Sequence, residues 1–551
     1  PRGYYSTDDW TDRAIQYIKE LRASSTQKPF FLYLAHNAVH APLQSKPQDL
    51  EKYRGRYDAG WTEVRAARFQ RQLDLGLIPE GTRLAGSDAR VPLWNDTDPA
   101  DRPLFARHME TYAAMLDCVD QNLGRLLHFL DTLCELDNTI VVFSSDNGGT
   151  DAGGPTGMFN NNRRYMALQP EPMDVERARL EQLGGPQSVS LYPTAWGEVC
   201  NTPFPSFKTY TGGGGRRVSF VVSWPRALQD HGAIRRQFMH VTDVMPTLLD
   251  LAGVSPLGTV NGETASTMHG LSFADVLRDG EAESPRNEQY YECWANRAYY
   301  RDGWLARSIQ RRGQPIDLDN WTLHHLAEDF SESTDLAAHN PDKLHELVEA
   351  FDKAAWENFV YPLDNRDRFQ KFADVPAHAR AAADVPRTFH PGTQTVHRAD
   401  IFPLISDRSF AITVRFTQSR GDAGVLWAVG DPIGGMVMYI ENEQLHFHYN
   451  GFGAAVSLPT FAVPPGEHSV RLDYQALGKR EGRGRILLAA DERVGWTALS
   501  PTLTFGVFEG RDVGFDRRGP VLWELYERHG AFGYSGNIHA VHVEPGTRAA
   551  D

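Results

Sequence analysis

Two adjacent oxygen donors, Asp146 and Asn147, close the stretch TIVVFSSDNGG at 139–149. Carboxylate and amide oxygens suit a hard cation such as calcium or magnesium. The apolar run before them, ended by a turn signal, reads as a strand buried on both faces of a parallel sheet. Ligands of open α/β sheets bind outside the carboxyl ends of such strands. Asp-Asn-Gly-Gly is also a good tight turn, because Asx side chains and glycine tolerate the required dihedrals, and taken alone the tetrapeptide favours that turn. Two more polar stretches could reach the same crevice. In HNAVHAPL (36–43), His36 and His40 are four apart but follow a strand and are interrupted by Pro42, which argues against a helical zinc face. A single positioned histidine is the functional alternative to a hydrogen-bonded loop residue. In FKTYTGGGGRR (207–217), Lys208 offers a positive charge to an anionic group, against the commoner role of a solvated surface lysine, and Arg216 and Arg217 carry the same choice. Gly212 to Gly215 have the glycine content of a phosphate cradle but lack the Lys-Ser/Thr that completes a P-loop.

The flanking patterns supply the elements that would position these groups. A first helix capped by Thr7 carries Trp10, Ala14, Ile15, Ile18 and Leu21 at helical spacing, and Lys28-Pro29 leads into a strand over Phe30 to Ala35. A long amphipathic helix begins at Asp101 and Pro103 and keeps Phe105, Met109, Tyr112, Leu116, Val119, Leu123, Leu126 and Leu130 on one face. The strand Val218 to Trp224 and a helix within TDVMPTLLDLAG (242–253), closed by glycine, follow a long polar segment at 150–215 that could form a substrate rim. A smaller α+β subdomain is expected over 254–365, with strands around Tyr290 to Trp294 and Ala298 to Leu305. It ends in a helix capped by Asn340 with Leu344, Leu347, Val348 and Phe351 inward.

Residues 366–400 read as a linker. From 401 to 551 the period changes to two: Phe410, Ile412, Val414 and Phe416, then Leu445, Phe447 and Tyr449, then Val470, Leu472 and Tyr474. Several such strands between glycine-rich turns predict an all-β sandwich. Gln444, His446 and His448 should form a solvent-facing polar side of one strand.

With 551 residues, 41% of them hydrophobic, the chain is long enough for several folded domains. A formal charge of −15 argues against nucleic acid or an acidic membrane as a general partner. Cys118, Cys134, Cys200 and Cys293 lack the spacing of a zinc site or a disulfide framework and assign no compartment. No stretch reaches the ~18 apolar residues of a membrane span. The chain opens at Pro1 on the approach to a helix and is read as the later part of a longer protein.

Taken together, the three polar stretches and their surroundings resemble the type I sulfatases, the arylsulfatase branch of the alkaline phosphatase-like superfamily. The segments that carry the resemblance include YYSTDDWTDRAI, PFFLYLAHNAVHAPLQ, METYAAMLDCVDQNLGRLL, DNTIVVFSSDNGG, NTPFPSFKTYTGGGGRRVSFVVSWP, HVTDVMPTLLDLAGV and NRAYYRDGWLA, in family order over about 1–365. The resemblance implies an α/β fold: an alkaline phosphatase-like mixed sheet flanked by helices over 1–253, the α+β subdomain, and the sandwich, concanavalin-like in strand pattern, as an addition. It implies hydrolysis of aryl or related sulfate esters, with Asp146 and Asn147 as a calcium-ligand pair, His40 assisting the leaving-group oxygen and Lys208 binding the sulfate beside it.

The family nucleophile is a formylglycine made from cysteine or serine in C/S-x-P-x-R, and no such motif is present. Ser223-Trp224-Pro225-Arg226 has its arginine one position early, and Asp8-Asp9 lies before the first helix rather than after an N-terminal strand. The nucleophile and the first calcium Asp pair are therefore expected upstream of Pro1, and the N-terminal part of the same protein is an expected partner. Gly212 and Gly213 also stand where the commoner family form carries His-Glu. Two alternatives accompany the sulfate-ester assignment: a phosphonate or phosphodiester hydrolase of the same superfamily, and a non-catalytic glycan-binding protein with a degenerate sulfatase-like domain.

Overall fold

The computed structural model describes residues 3–25, 27–163, 170–366, 384–503 and 509–549. The chain forms two compact units. One holds Pro1–Gly157 with Tyr192–Lys371, the other Met158–Leu191 with Phe372–Asp551.

In the first unit, helix α1 (Ser6–Ser24) packs on the long helix α2 (Arg102–Thr132). Ile18, Leu126 and Leu130 are buried between them, and Phe30, Leu32 and Leu34 join this cluster from the following segment. The alternation expected of a strand is therefore present at 30–35, yet no ladder forms there among the described residues. Phe31 and Tyr33, which point the other way, are 79% and 83% exposed. A second correction concerns the run before Asp146. Strand β1 (Val141–Ser144) pairs antiparallel with β2 (Phe220–Ser223), and these two form a sheet of their own among the described residues. Its register places Phe143 opposite Val221, and both are exposed, so the strand is neither parallel-paired nor buried on both faces.

Smaller corrections follow from local geometry. Helix α1 starts two residues early, with Tyr5 at the cap position, so Thr7 is buried inside its first turn and its carbonyl accepts from Thr11 Oγ1. Leu116 of α2 faces solvent. Helix α3 (Val244–Leu251) runs into Gly253 at φ 65, as expected of a helix stop.

The α+β subdomain is a four-stranded antiparallel sheet of β3 (Glu288–Cys293), β4 (Asn296–Arg301), β5 (Trp304–Ser308) and β6 (Thr322–His325), in sequence order. Helix α4 (Pro341–Glu357) lies on it, and Leu347, Phe351 and Ala355 pack with Tyr299, Ala306 and Leu323. Asn340 stands at the cap position but turns its amide to Leu336 O, so proline at the first helical position, not a side-chain cap, marks the start.

The second unit contains two six-stranded antiparallel sheets around one core. Phe410, Ile412, Val414 and Phe416 meet Leu445, Phe447, Tyr449, Val470, Leu472 and Tyr474 there, as the two-residue period predicts. Residues 387–389 form an edge strand of the first sheet, within the stretch read as a linker; 367–383 lie outside the described residues. The polar face expected at His446 and His448 is not simply solvated. His446 stacks on Tyr439 and His448 is buried, because helix Trp523–His529 covers that side of the sheet through Leu525. Within the same unit Asn160 donates to Phe452 O at 2.9 Å, which ties this part of the 150–215 stretch to the sandwich.

Candidate functional site

β1 ends at Ser144, and the chain turns through Ser145 to Gly149. Asp146 is exposed, and its carboxylate makes no hydrogen bond or ion pair among the described residues. Asn147 donates its amide N–H to Gly148 O at 3.0 Å, which leaves Oδ1 open beside the Asp146 carboxylate. The two glycines are there for close approach. Gly148 N donates to Gly215 O, and a Cβ on Gly148 would stand 1.7 Å from Gly214 O. Gly149 N donates to Asn201 Oδ1 at 2.6 Å, and Asn201 Nδ2 donates back to Gly149 O at 3.1 Å and on to Ser206 O at 3.0 Å.

Lys208 N completes the joint by donating to Gly149 O at 2.9 Å. Its neighbours Ser206 and Thr209 adopt φ of 74° and 76°, unusual for residues with a Cβ and most of all for β-branched threonine. Phe207 is fully buried, Lys208 is half-buried, and the Lys208 ammonium makes no hydrogen bond or ion pair among the described residues. A cavity of about 740 Å³ opens here, lined among others by Asn147, Lys208, Arg216, His240, His269 and Tyr291. Burial pushes the His240 imidazole below its ordinary pKa, and the nearby Arg286 charge adds to that. Burial also raises the Tyr291 phenol, against the opposing charges of Arg216 and Arg217.

The structure thus joins the Asp146-Asn147 turn to the Lys208 loop, whereas His40 stands apart. His40 is exposed, and no hydrogen bond, ion pair or ring contact links it to Asp146, Asn147 or Lys208 among the described residues. Its Nδ1 lies 2.7 Å from Ala41 O. A carbonyl only accepts, so Nδ1 carries the hydrogen and Nε2 is the free nitrogen. His36 goes elsewhere: it is half-buried and stacks on Trp10 with ring centroids 6.3 Å apart.

Among the described residues no group of three or more His, Cys, Asp or Glu could hold a metal ion. Calcium takes six to eight oxygens. The open Asp146 carboxylate and Asn147 Oδ1 fit part of such a shell, with the correct donor chemistry, but do not complete one.

The glycine run is not a phosphate cradle. A Cβ on Gly213 would meet Phe204 Cδ1 at 2.8 Å and Glu332 Oε1 at 3.0 Å, one on Gly214 would meet Ser206 O at 2.2 Å, and one on Gly215 would meet Tyr210 O at 2.2 Å. Glycine is used here so that backbone can touch backbone. Arg217 is drawn away from any ligand: it lies between the rings of Phe204 and Phe330, 4.9 and 4.1 Å from their centroids, and burial lowers its pKa to about 10. Asn201 is the functional-loop residue that sequence patterns missed. Its signal was slight, a lone amide just after the short helix Thr194–Cys200.

The family model described as Sulfatase matches residues 1–254. Residues 1–254 are a sulfatase-family domain. An uncharacterised sulfatase of Schizosaccharomyces pombe is 31% identical over 351 residues, covering 63% of this chain and 61% of that protein. An arylsulfatase of Klebsiella aerogenes is 29% identical over 277 residues, covering 50% of this chain and 57% of that protein. The chain therefore spans about three fifths of the length of these two curated relatives. Among solved structures, Ps i-CgsB in complex with k-i-k-neocarrahexaose is 21% identical with a TM-score of 0.41, covering 68% of this chain and 60% of that one. The sulfatase domain carries Asp146, Asn147, His40 and Lys208. No helix among the described residues is long and apolar enough to cross a membrane.

Proposed function

We propose that this sulfatase-family chain belongs to a sulfuric ester hydrolase that cleaves aryl or carbohydrate sulfate esters to an alcohol or phenol and sulfate. The observation that carries this is the joint between Gly149 and Lys208, which brings the loop of Asp146 and Asn147 to the Lys208 loop, with Asn147 and Lys208 both lining an open cavity. Asp146 and Asn147 would hold calcium, which when bound polarises a sulfate oxygen as a Lewis acid. Lys208 binds the sulfate beside the bond that breaks. His40, keeping Nδ1–H on Ala41 O, would act as the imidazolium, giving its Nε2 proton to the leaving oxygen and returning to the neutral ring. Negative charge grows on that oxygen as the S–O bond lengthens, so a cation and a proton donor there favour the transition state over the bound substrate.

The formylglycine nucleophile and the remaining calcium carboxylates come, in this proposal, from the N-terminal part of the same protein. The exposed side chains of Phe31, Tyr33, Phe143 and Val221 support it, since extended segments that leave large apolar side chains uncovered call for a partner. The same site would accept a phosphonate or phosphodiester group, so the discriminating assay compares aryl sulfate with aryl phosphodiester in the complete protein. Sulfate turnover lost on calcium chelation, and lowered about a hundredfold or more by Lys208→Ala or His40→Ala, is the expected result. Preference for the phosphodiester would reject the sulfate assignment. An intact complete protein inactive on both would point to the glycan-binding alternative. The 551-residue chain alone should leave 4-nitrophenyl sulfate unhydrolysed.

A further inference from the structure

A buried carboxylate stands behind the glycine run that follows Lys208. Glu332 comes from the loop after β6, far along the chain, and is 3% exposed with its own φ at 55°. Both of its oxygens are engaged. Oε1 accepts from Arg216 Nη2 at 2.5 Å, and Oε2 accepts from Gly213 N at 3.1 Å and from Arg307 Nη1 at 2.8 Å. Burial by itself would push this carboxyl up, but Arg216 and Arg307, helped by His324 and the Gly213 N–H, outweigh it and hold the group below the ordinary glutamate value. Two cations with side chains only 9% and 14% exposed thus converge on one enclosed anion.

The loop that Glu332 grips is closed on itself. Gly214 N donates to Pro205 O at 2.8 Å, Gly215 N to Gly212 O at 3.0 Å, and Tyr210 N to Phe207 O at 3.0 Å. Moving Gly213 therefore moves Pro205 and Ser206, and with them Lys208. Ser206 and Thr209 keep left-handed backbone on either side of Lys208, a conformation that persists only where the surroundings over-determine it. Asn201 supplies that constraint at the start of the loop and Glu332 at its end. Arg216, the other partner, shares the cavity wall with Lys208.

The geometry points to Glu332 as a positioning residue: by anchoring Gly213 and Arg216 it sets where the Lys208 ammonium and the Arg216 guanidinium face the cavity, and so how an anionic substrate group is received. The identity of that anion as sulfate rests on the proposed function; the control of Lys208 by Glu332 does not.

The test uses the 551-residue chain with Glu332→Gln, which keeps the shape and removes the charge, and Glu332→Asp, which keeps the charge. Lysine acylation is followed by peptide mass spectrometry as a function of pH, with Lys46, half-buried and paired with Asp8 in the same unit, reporting general loosening. Binding of inorganic sulfate is measured in parallel. In Glu332→Gln, uncompensated Arg216 and Arg307 charges should move the Lys208 acylation profile to lower pH and raise its rate about threefold or more at fixed pH, with Lys46 unchanged. Sulfate binding should weaken about tenfold, and Glu332→Asp should recover part of both effects. Unchanged Lys208 reactivity, or an equal rise at Lys46, overturns the inference. If Glu332→Gln does not fold, Arg307→Gln removes one arm of the network, and an unaltered Lys208 profile there is equally decisive. Absence of sulfate binding by the unmodified chain would count against the sulfate assignment and leave the acylation result to judge Glu332.

Discussion

Replacing Asn201 with alanine tests whether the Asp146 turn and the Lys208 loop are held together by one side chain. Asn201 is 6% exposed and makes three hydrogen bonds, from Gly149 N and to Gly149 O and Ser206 O. Alanine removes all three and leaves the Gly149 N–H without a protein partner. At about 1 kcal/mol net for each of the three bonds, plus about 1–3 kcal/mol for the stranded donor, the loss should be roughly 4–6 kcal/mol. The small cavity left by the amide acts in the same direction. Denaturant unfolding of the 551-residue chain, followed by tryptophan fluorescence, measures it. Gln16→Ala, which removes only an exposed contact to Glu20, is the control and should stay within about 0.5 kcal/mol. A loss below about 1 kcal/mol for Asn201→Ala would show that the Gly149–Lys208 joint holds without this residue and would refute its role.

Two glycines should respond in opposite directions. Gly148→Ala drives a methyl into the Gly214 carbonyl from 1.7 Å and should cost about 3 kcal/mol or more, since backbone cannot step aside. Gly124→Ala, in α2 with nothing within 4 Å of the new Cβ, should stabilise by about 0.5–1 kcal/mol; paired denaturation midpoints check both. The sandwich unit should weaken as pH rises through the acid range. Burial raises the Glu176 carboxyl to about 7, and burial together with neighbouring carboxylates raises Asp516 to about 7. For a carboxyl raised on folding, the unfolded chain ionises first. Stability is therefore greatest below the unfolded pKa, falls between about 4.5 and 7, and levels off above. Glu176→Gln should remove a decline of about 2–3 kcal/mol, gaining stability at pH 8 and changing little at pH 4; a mutant with an unchanged slope would refute it.

Much of the architecture could be read from local pattern. The helical period of α2 and the two-residue period of Phe410 to Phe416 each describe contacts made within one element and its nearest neighbours, and both appear in the cores. The residues that assemble the site were harder to see, because their partners are remote. Nothing around Asn201 signals Gly149, and nothing around Glu332 signals Gly213 or Arg216. The glycine run was conspicuous, but its purpose depended on which backbone lay against it. The run before Asp146 looked like a strand buried on both faces because its composition is apolar, yet composition does not say which faces are covered.

That uncovered surface has a practical side. Phe31, Tyr33, Phe143 and Val221 are respectively 79%, 83%, 39% and 55% exposed, on extended segments that form no ladder beyond the β1–β2 pair among the described residues. Such edges template association between molecules. A preparation of this chain by itself will therefore behave as a sticky colloid whose particle size grows with concentration, and a lysine placed at Phe31 or Tyr33 would be the conservative remedy for keeping it monodisperse.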